Sequence, residues 1–253
     1  MSVYWSRAGS GAPLVLLHGW GMNAAVWEPL LPRLTTHFEV TVIELPGHGG
    51  SSVASAADLD DWALRCVAVA PPQAHWVGWS LGGQVALQVA LRAPSRITGL
   101  SLIATTPRFV QGADWSCAMP SDTFRAFAST LGDDPGATLL RFLGLQVKGA
   151  EHARDTLRLL RAELAERPPA SETGLTQGLT LLLQTDLRAA LPNLQCTTQW
   201  LLGSRDTLVP LQLGEVLRVM LPKARVDVVD GAGHAPFLSH PDVCLGLLLE
   251  AAA

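Results

Sequence analysis

Basic residues are not in excess in this chain. Eighteen Lys and Arg face 22 Asp and Glu, for a formal net charge of −4, which argues against the positive surface that nucleic-acid binding needs. Neither a leader nor a membrane segment is expected. No basic-then-apolar stretch opens the sequence, and no apolar run approaches the roughly 20 residues that cross a bilayer. Cysteine is sparse and scattered: Cys66, Cys117, Cys196 and Cys244 form neither a CxxC pair nor a metal-ligand spacing. They read as small buried hydrophobes of a reducing compartment. A cytoplasmic protein is expected, apart from nucleic acid and membrane, with no metal and no organic cofactor. Nothing requires more than a monomer.

What is present is apolar. Hydrophobic residues make up 48% of the 253, enough for one large core with a small inserted subdomain. Nearly continuous apolar runs at Leu14–Leu17, Val40–Ile43, His75–Val77 and Leu100–Ile103 suit strands of a parallel sheet covered on both faces. Helical patterns around 24–35, 59–70 and 81–92 alternate with them as repeated βα units. From about 108 to 188 the pattern is helical, broken by Pro, Gly and polar residues, and strands resume at Thr198–Leu202 and Arg225–Val229. The expected architecture is an α/β core, 1–107 with 189–253, interrupted by a helical lid at 108–188. An insertion of that size is too long for an ordinary loop.

The most informative motif is Gly78-Trp79-Ser80-Leu81-Gly82. It sets a serine between two glycines where an apolar strand meets a helix. A serine on so sharp a turn adopts strained backbone angles, and the flanking glycines leave room for close packing. Its hydroxyl becomes a nucleophile only when an imidazole takes its proton, and the imidazole needs a carboxylate to fix its tautomer. An elbow of this kind is followed along the chain by the acid and then the histidine, on loops after later strands. His234, in Gly231-Ala232-Gly233-His234-Ala235-Pro236-Phe237 directly after the last strand, fits the histidine. His240, before Pro241, fits a surface cap of the final helix. Asp206, just after the strand at 198–202, fits the acid, because Asp227 lies inside a strand and Asp230 too near its end.

The oxyanion of an acyl-transfer step also needs donors, and removing one typically costs about 3–4 kcal/mol. The backbone N–H of Leu81 supplies one. Trp20, in His18-Gly19-Trp20-Gly21 after the first strand, supplies the other, with its indole as a wall of the acyl pocket. His18, Gly21 and His48, the last in Leu45-Pro46-Gly47-His48-Gly49, are read as loop-shaping residues.

Together the His18–Gly21 and Leu45–Gly49 segments, the elbow, Asp206 and His234 resemble the α/β-hydrolase superfamily, and they span most of the chain in its order. A narrower resemblance rests on Leu16–Asn23, Gly78–Gly83, Arg141–Gln146 and His234–Pro241. These look like the biotin-synthesis carboxylesterases, the pimeloyl-[acyl-carrier protein] methyl ester esterases. The resemblance implies the α/β-hydrolase fold: a mostly parallel sheet with helices on both faces and a helical lid. It implies hydrolysis of a pimeloyl methyl ester carried as a thioester on acyl carrier protein. It also implies a triad at Ser80, Asp206 and His234, with substrate contacts at Trp20, Leu81 and Phe142.

The insertion adds a second expectation. Ala137–Ala170 holds six basic and four acidic residues, a local surplus in an acidic chain. Arg154, Arg158 and Arg161 fall at i, i+4 and i+7 on one side of a helix. Ala153, Leu157, Leu160 and Leu164 form a neighbouring stripe suited to the core. With the family resemblance, that face and Arg141 are expected to dock the acidic carrier. The same triad also serves hydrolases of small esters, lactones or carbon–carbon bonds, because fold does not fix substrate. A triad-bearing ligand receptor is a further alternative.

Overall fold

The computed structural model of the protein describes residues 2–252. Seven strands form one sheet: β1 (Trp5–Gly9), β2 (Ala12–Leu17), β3 (Phe38–Ile43), β4 (Ala74–Trp79), β5 (Ile97–Ile103), β6 (Thr197–Gly203) and β7 (Arg225–Val229). Their order is β1-β3-β2-β4-β5-β6-β7. All pairings are parallel except β1 against β3, where Trp5 faces Ile43. The apolar runs form strands because both faces are covered. Along β2, Val15 and Leu17 enter one core, and Leu14 and Leu16 the other. This is the two-residue alternation of a strand, with apolar side chains on both sides.

The described chain also forms ten α-helices, α1 (Leu31–Leu34), α2 (Leu59–Val69), α3 (Leu81–Arg92), α4 (Ser121–Ser129), α5 (Pro135–Gln146), α6 (Ala153–Ala165), α7 (Glu172–Gln184), α8 (Leu213–Met220), α9 (Pro236–Ser239) and α10 (Pro241–Ala252), together with three short 3-10 helices. Trp62 and Cys66 of α2, Val85 and Val89 of α3, and Leu213 and Leu217 of α8 belong to the first core. Leu34 of α1, Leu160 of α6, and Leu245 and Leu248 of α10 belong to the second. The sheet therefore carries helices on both faces. Between β5 and β6 the chain forms α4–α7, preceded by a doubled-back turn in which Val110 bridges Met119.

One expectation about secondary structure is corrected. The helix anticipated at 24–35 is a 3-10 turn, Ala24–Trp27, followed by the single turn α1. Pro29 and Pro32 have no N–H to donate, so the i→i−4 ladder cannot run through. Instead Glu28 and Leu30 donate three residues back, to Ala25 and Trp27. The strand β1 was not anticipated. Its five residues, Trp-Ser-Arg-Ala-Gly, are all exposed at a sheet edge, where no apolar run is required.

Candidate active site

In parallel strands every carboxyl end lies along one edge of the sheet, where ligands of such folds bind. Leu17 of β2 pairs with Gly78 of β4, and Ile103 of β5 with Leu201 of β6. The turns after β2, β4, β6 and β7 thus meet at one place.

Ser80 links β4 to α3 with φ 55° and ψ −117°. A β-carbon is strained in that region, and the surroundings hold it there. Its N–H donates to Ile103 O at 2.9 Å, and the Thr105 hydroxyl donates to its carbonyl at 3.2 Å. Gly78 is required because a methyl there would sit 2.5 Å from the Gly83 Cα. The strand end and the helix start touch backbone to backbone.

The structure brings all three expected residues together. His234 Nε2 lies 2.8 Å from Ser80 Oγ, and His234 Nδ1 lies 2.8 Å from Asp206 Oδ2. The other oxygen of Asp206 accepts from the Leu208 and Val209 amides at 2.8 and 3.0 Å. With both oxygens held, the carboxylate cannot rotate away. It accepts from Nδ1–H, so the Nε2 lone pair faces the serine hydroxyl, the tautomer a general base needs. All three residues are buried; Ser80 keeps 4% of its surface exposed. The rejected acids are engaged elsewhere, Asp227 with Arg225 and Asp230 with the Ser204 hydroxyl.

Two residues that sequence reasoning missed hold the His234 loop. The Trp79 indole N–H donates to His234 O at 2.7 Å, and the His234 N–H donates to Gln146 O, at the end of α5, at 2.9 Å. In the sequence, Trp79 stands out only as part of the Gly78–Gly83 segment that carries the family resemblance. Nothing in the linear spacing pairs residue 79 or 146 with residue 234. The last turn of α5 also reaches Asp206's loop, since Thr207 donates to Leu145 O at 3.2 Å.

Among the described residues, the amides of Trp20 and Leu81 have no hydrogen-bond acceptor. Both flank Ser80. Leu81 follows it, and a methyl on Gly19 would stand 3.4 Å from the Ser80 Cβ. The loop carrying Trp20 is set by two imidazoles. His18 Nε2 accepts from Leu45 N–H at 3.0 Å, and His48 Nε2 accepts from Gly21 N–H at 3.2 Å. Glu44, wholly buried, adds a third fixed point. It accepts from the Ala24 and Gly50 amides and from Arg167 Nε at 2.5 Å.

Trp20 is fully buried under the insertion. Its indole N–H donates to Leu175 O on α7 at 2.9 Å, and its ring meets Phe142 edge-on at 4.9 Å and Phe127 at 5.6 Å. Phe142 therefore does face the ring expected to wall the pocket. Arg141, Arg154, Arg158 and Arg161 are exposed, and Arg158 pairs with Asp155 at 3.1 Å. Leu160 is core, with Ala153, Leu157 and Leu164 packed beside it. Arg167, counted in the basic surplus, is spent on Glu44 and lies over the Tyr4 ring at 4.0 Å.

Burial holds three imidazoles neutral: His18 falls to about 4, His75 to about 4, and His48 to about 3, the last helped by its neighbour His18. Their folded values lie below the unfolded 6.5, so the unfolded chain takes up protons first as pH falls. Stability is then fully present above pH 6.5 and is lost on descending toward 4. At pH 5 the expected loss is about 2 kcal/mol per imidazole. Urea midpoints at pH 7.5 and pH 5 check this, and equal midpoints would refute it.

The family model of the alpha/beta hydrolases matches residues 14–247. Pimeloyl-[acyl-carrier protein] methyl ester esterase of Xanthomonas oryzae pv. oryzae (strain MAFF 311018) is 44% identical over 234 residues, covering 92% of each chain. Its counterpart in Stenotrophomonas maltophilia (strain K279a) is 43% identical over 234 residues, 92% of this chain and 90% of that one. Among solved structures, an esterase from Exiguobacterium antarcticum superposes with a TM-score of 0.88 at 25% identity, covering 98% of this chain and 94% of that one.

Proposed function

The chain belongs to the α/β-hydrolase family and, within it, to the pimeloyl-[acyl-carrier protein] methyl ester esterases of biotin synthesis; from that premise we propose that Ser80, His234 and Asp206 hydrolyse the methyl ester of a pimeloyl chain on acyl carrier protein. The observation that carries the chemistry is the bridging imidazole, 2.8 Å from both the hydroxyl and the carboxylate. His234 Nε2 takes the Ser80 proton as Oγ attacks the ester carbonyl. The oxyanion is held by the Trp20 and Leu81 amides, which have no acceptor among the described residues. His234 passes the proton to the departing methoxide, which leaves as methanol. Water then gives a proton to His234 Nε2 and attacks the acyl-enzyme. Collapse releases the free carboxylate and returns the proton to Ser80. No step calls for a cofactor.

In this reading residues 108–188 form the lid, and Trp20, Leu81 and Phe142 contact the acyl chain. Arg141, Arg154, Arg158 and Arg161 hold the acidic carrier outside. The protein works as a cytoplasmic monomer, and its four free cysteines accord with a reducing compartment. No helix among the described residues is long and apolar enough to cross a membrane.

The test compares pimeloyl-carrier-protein methyl ester with a small free methyl ester. Reversing Arg154, Arg158 and Arg161 to Glu is expected to lower kcat/KM about 10–100-fold for the carrier-linked ester, because steering and docking lose their charge. The free ester should be unaffected. Cleavage of the free ester alone by the unaltered protein would leave the triad and remove the carrier.

A further inference from the structure

We propose that Glu151, His152 and His240 form a binding site for a divalent transition metal such as zinc, tying the link after α5 to the segment that carries the catalytic histidine. One carboxylate oxygen and one nitrogen from each imidazole lie within 4.8 Å of one another. Tetrahedral zinc at bond lengths of about 2.0–2.2 Å needs donors somewhat closer. Side-chain rotation of surface residues covers that difference. Two imidazoles with one carboxylate suit zinc, cobalt, nickel or copper, whereas magnesium and calcium take oxygen donors. Coordinated water would complete the shell.

The backbone that carries the donors is held in place by the fold. Glu151 is fixed through its backbone, whose N–H donates to Gly231 O at 2.8 Å. Its carboxylate lies against Gly231, where any side chain would collide with it. Arg205 holds Oε1 at 3.0 Å, which leaves Oε2 to coordinate. His152 sits at φ 54°, ψ 23°, a left-handed conformation uncommon for a residue with a β-carbon. That bend sets its ring 5.8 Å from the ring of His240. His240 closes α9 by donating its N–H to Pro236 O at 2.7 Å, and its Nδ1 meets the Ser239 hydroxyl at 2.9 Å. With Nδ1–H donating to that hydroxyl, Nε2 presents a lone pair, the usual way a neighbouring group orients a metal-binding histidine.

The location gives the site a consequence. Gln146, five residues before Glu151, accepts the His234 N–H, and α9 begins two residues after His234. A metal on the three donors would join both sides of this catalytic loop. His152 and His240 themselves take no part in the ester chemistry, so the site does not depend on the proposed reaction.

Chelator-treated protein titrated with Zn2+ in a calorimeter should bind one ion per chain. Co2+ should give the visible absorption of a nitrogen-ligated site. His152→Ala and His240→Ala should each weaken Zn2+ binding by about 10–100-fold, at least the loss seen when a supporting group is removed. Both variants should keep the unaltered protein's thermal unfolding in chelator. In the unaltered protein Zn2+ should slow amide exchange in 147–152 and 235–241, and in neither variant. Absence of saturable binding, or binding that both variants retain, would overturn the site. Binding without the paired slowing of exchange would overturn the tie.

Discussion

Ser80→Ala is expected to lower kcat for methyl ester hydrolysis by about 10^5–10^6-fold, the scale on which loss of a triad nucleophile acts elsewhere. The substitution deletes one oxygen whose hydrogen bond runs to His234 Nε2. Alanine keeps the β-carbon, so the strain at φ 55° is unchanged and the backbone bonds to Ile103 and Thr105 persist. The fold should therefore survive, and so should the amides of Trp20 and Leu81. Carrier-linked ester should still bind, and no acyl-enzyme should form. Mass spectrometry of the protein after mixing with substrate reads this directly. A mass increase of one acyl group on the alanine variant would mean that another residue is the nucleophile.

Asp206→Asn is expected to cost about 10^4-fold in kcat, with little change in KM. The reason is the hydrogen-bond arrangement around its two oxygens. Oδ1 accepts from two backbone amides, Leu208 and Val209. An asparagine must leave its carbonyl oxygen on that side and turn its NH2 toward His234 Nδ1. The imidazole then accepts at Nδ1 and carries its proton on Nε2, facing Ser80. A protonated Nε2 cannot take the serine proton. The pocket walls are untouched, since Asp206 stands behind the imidazole, so binding should hold. Steady-state kinetics separate the two constants. A fall carried by KM alone would show that Asp206 shapes the pocket rather than the base.

Much of this site was legible because its informative parts are short and contiguous. Gly78 to Gly83 encode the elbow locally: a run that fits a strand, a serine, and glycines where backbones must touch. Asp206 and His234 were found by their position after strands, because a parallel sheet gathers its carboxyl ends on one edge. The split of the anticipated 24–35 helix was also a local matter, written in Pro29 and Pro32, although the apolar period concealed it. By contrast β1 had no apolar pattern to betray it, since an exposed edge strand gains its order from pairing with β3.

The sequence by itself determined the fold class, the elbow at Ser80 and the order in which Ser80, Asp206 and His234 of the proposed triad follow one another, because each is carried by residues adjacent in the chain or by the period of burial. Only the tertiary structure decided what holds that triad in place. Trp79 and Gln146 grip His234 from 155 and 88 residues away. Glu44 joins the loop that follows β2 to Arg167 at a separation of 123. Periodicity tells which face of an element is buried, not which distant polar atom will meet it there. Buried donors and acceptors must be paired, and only the packed chain shows how those pairings are met.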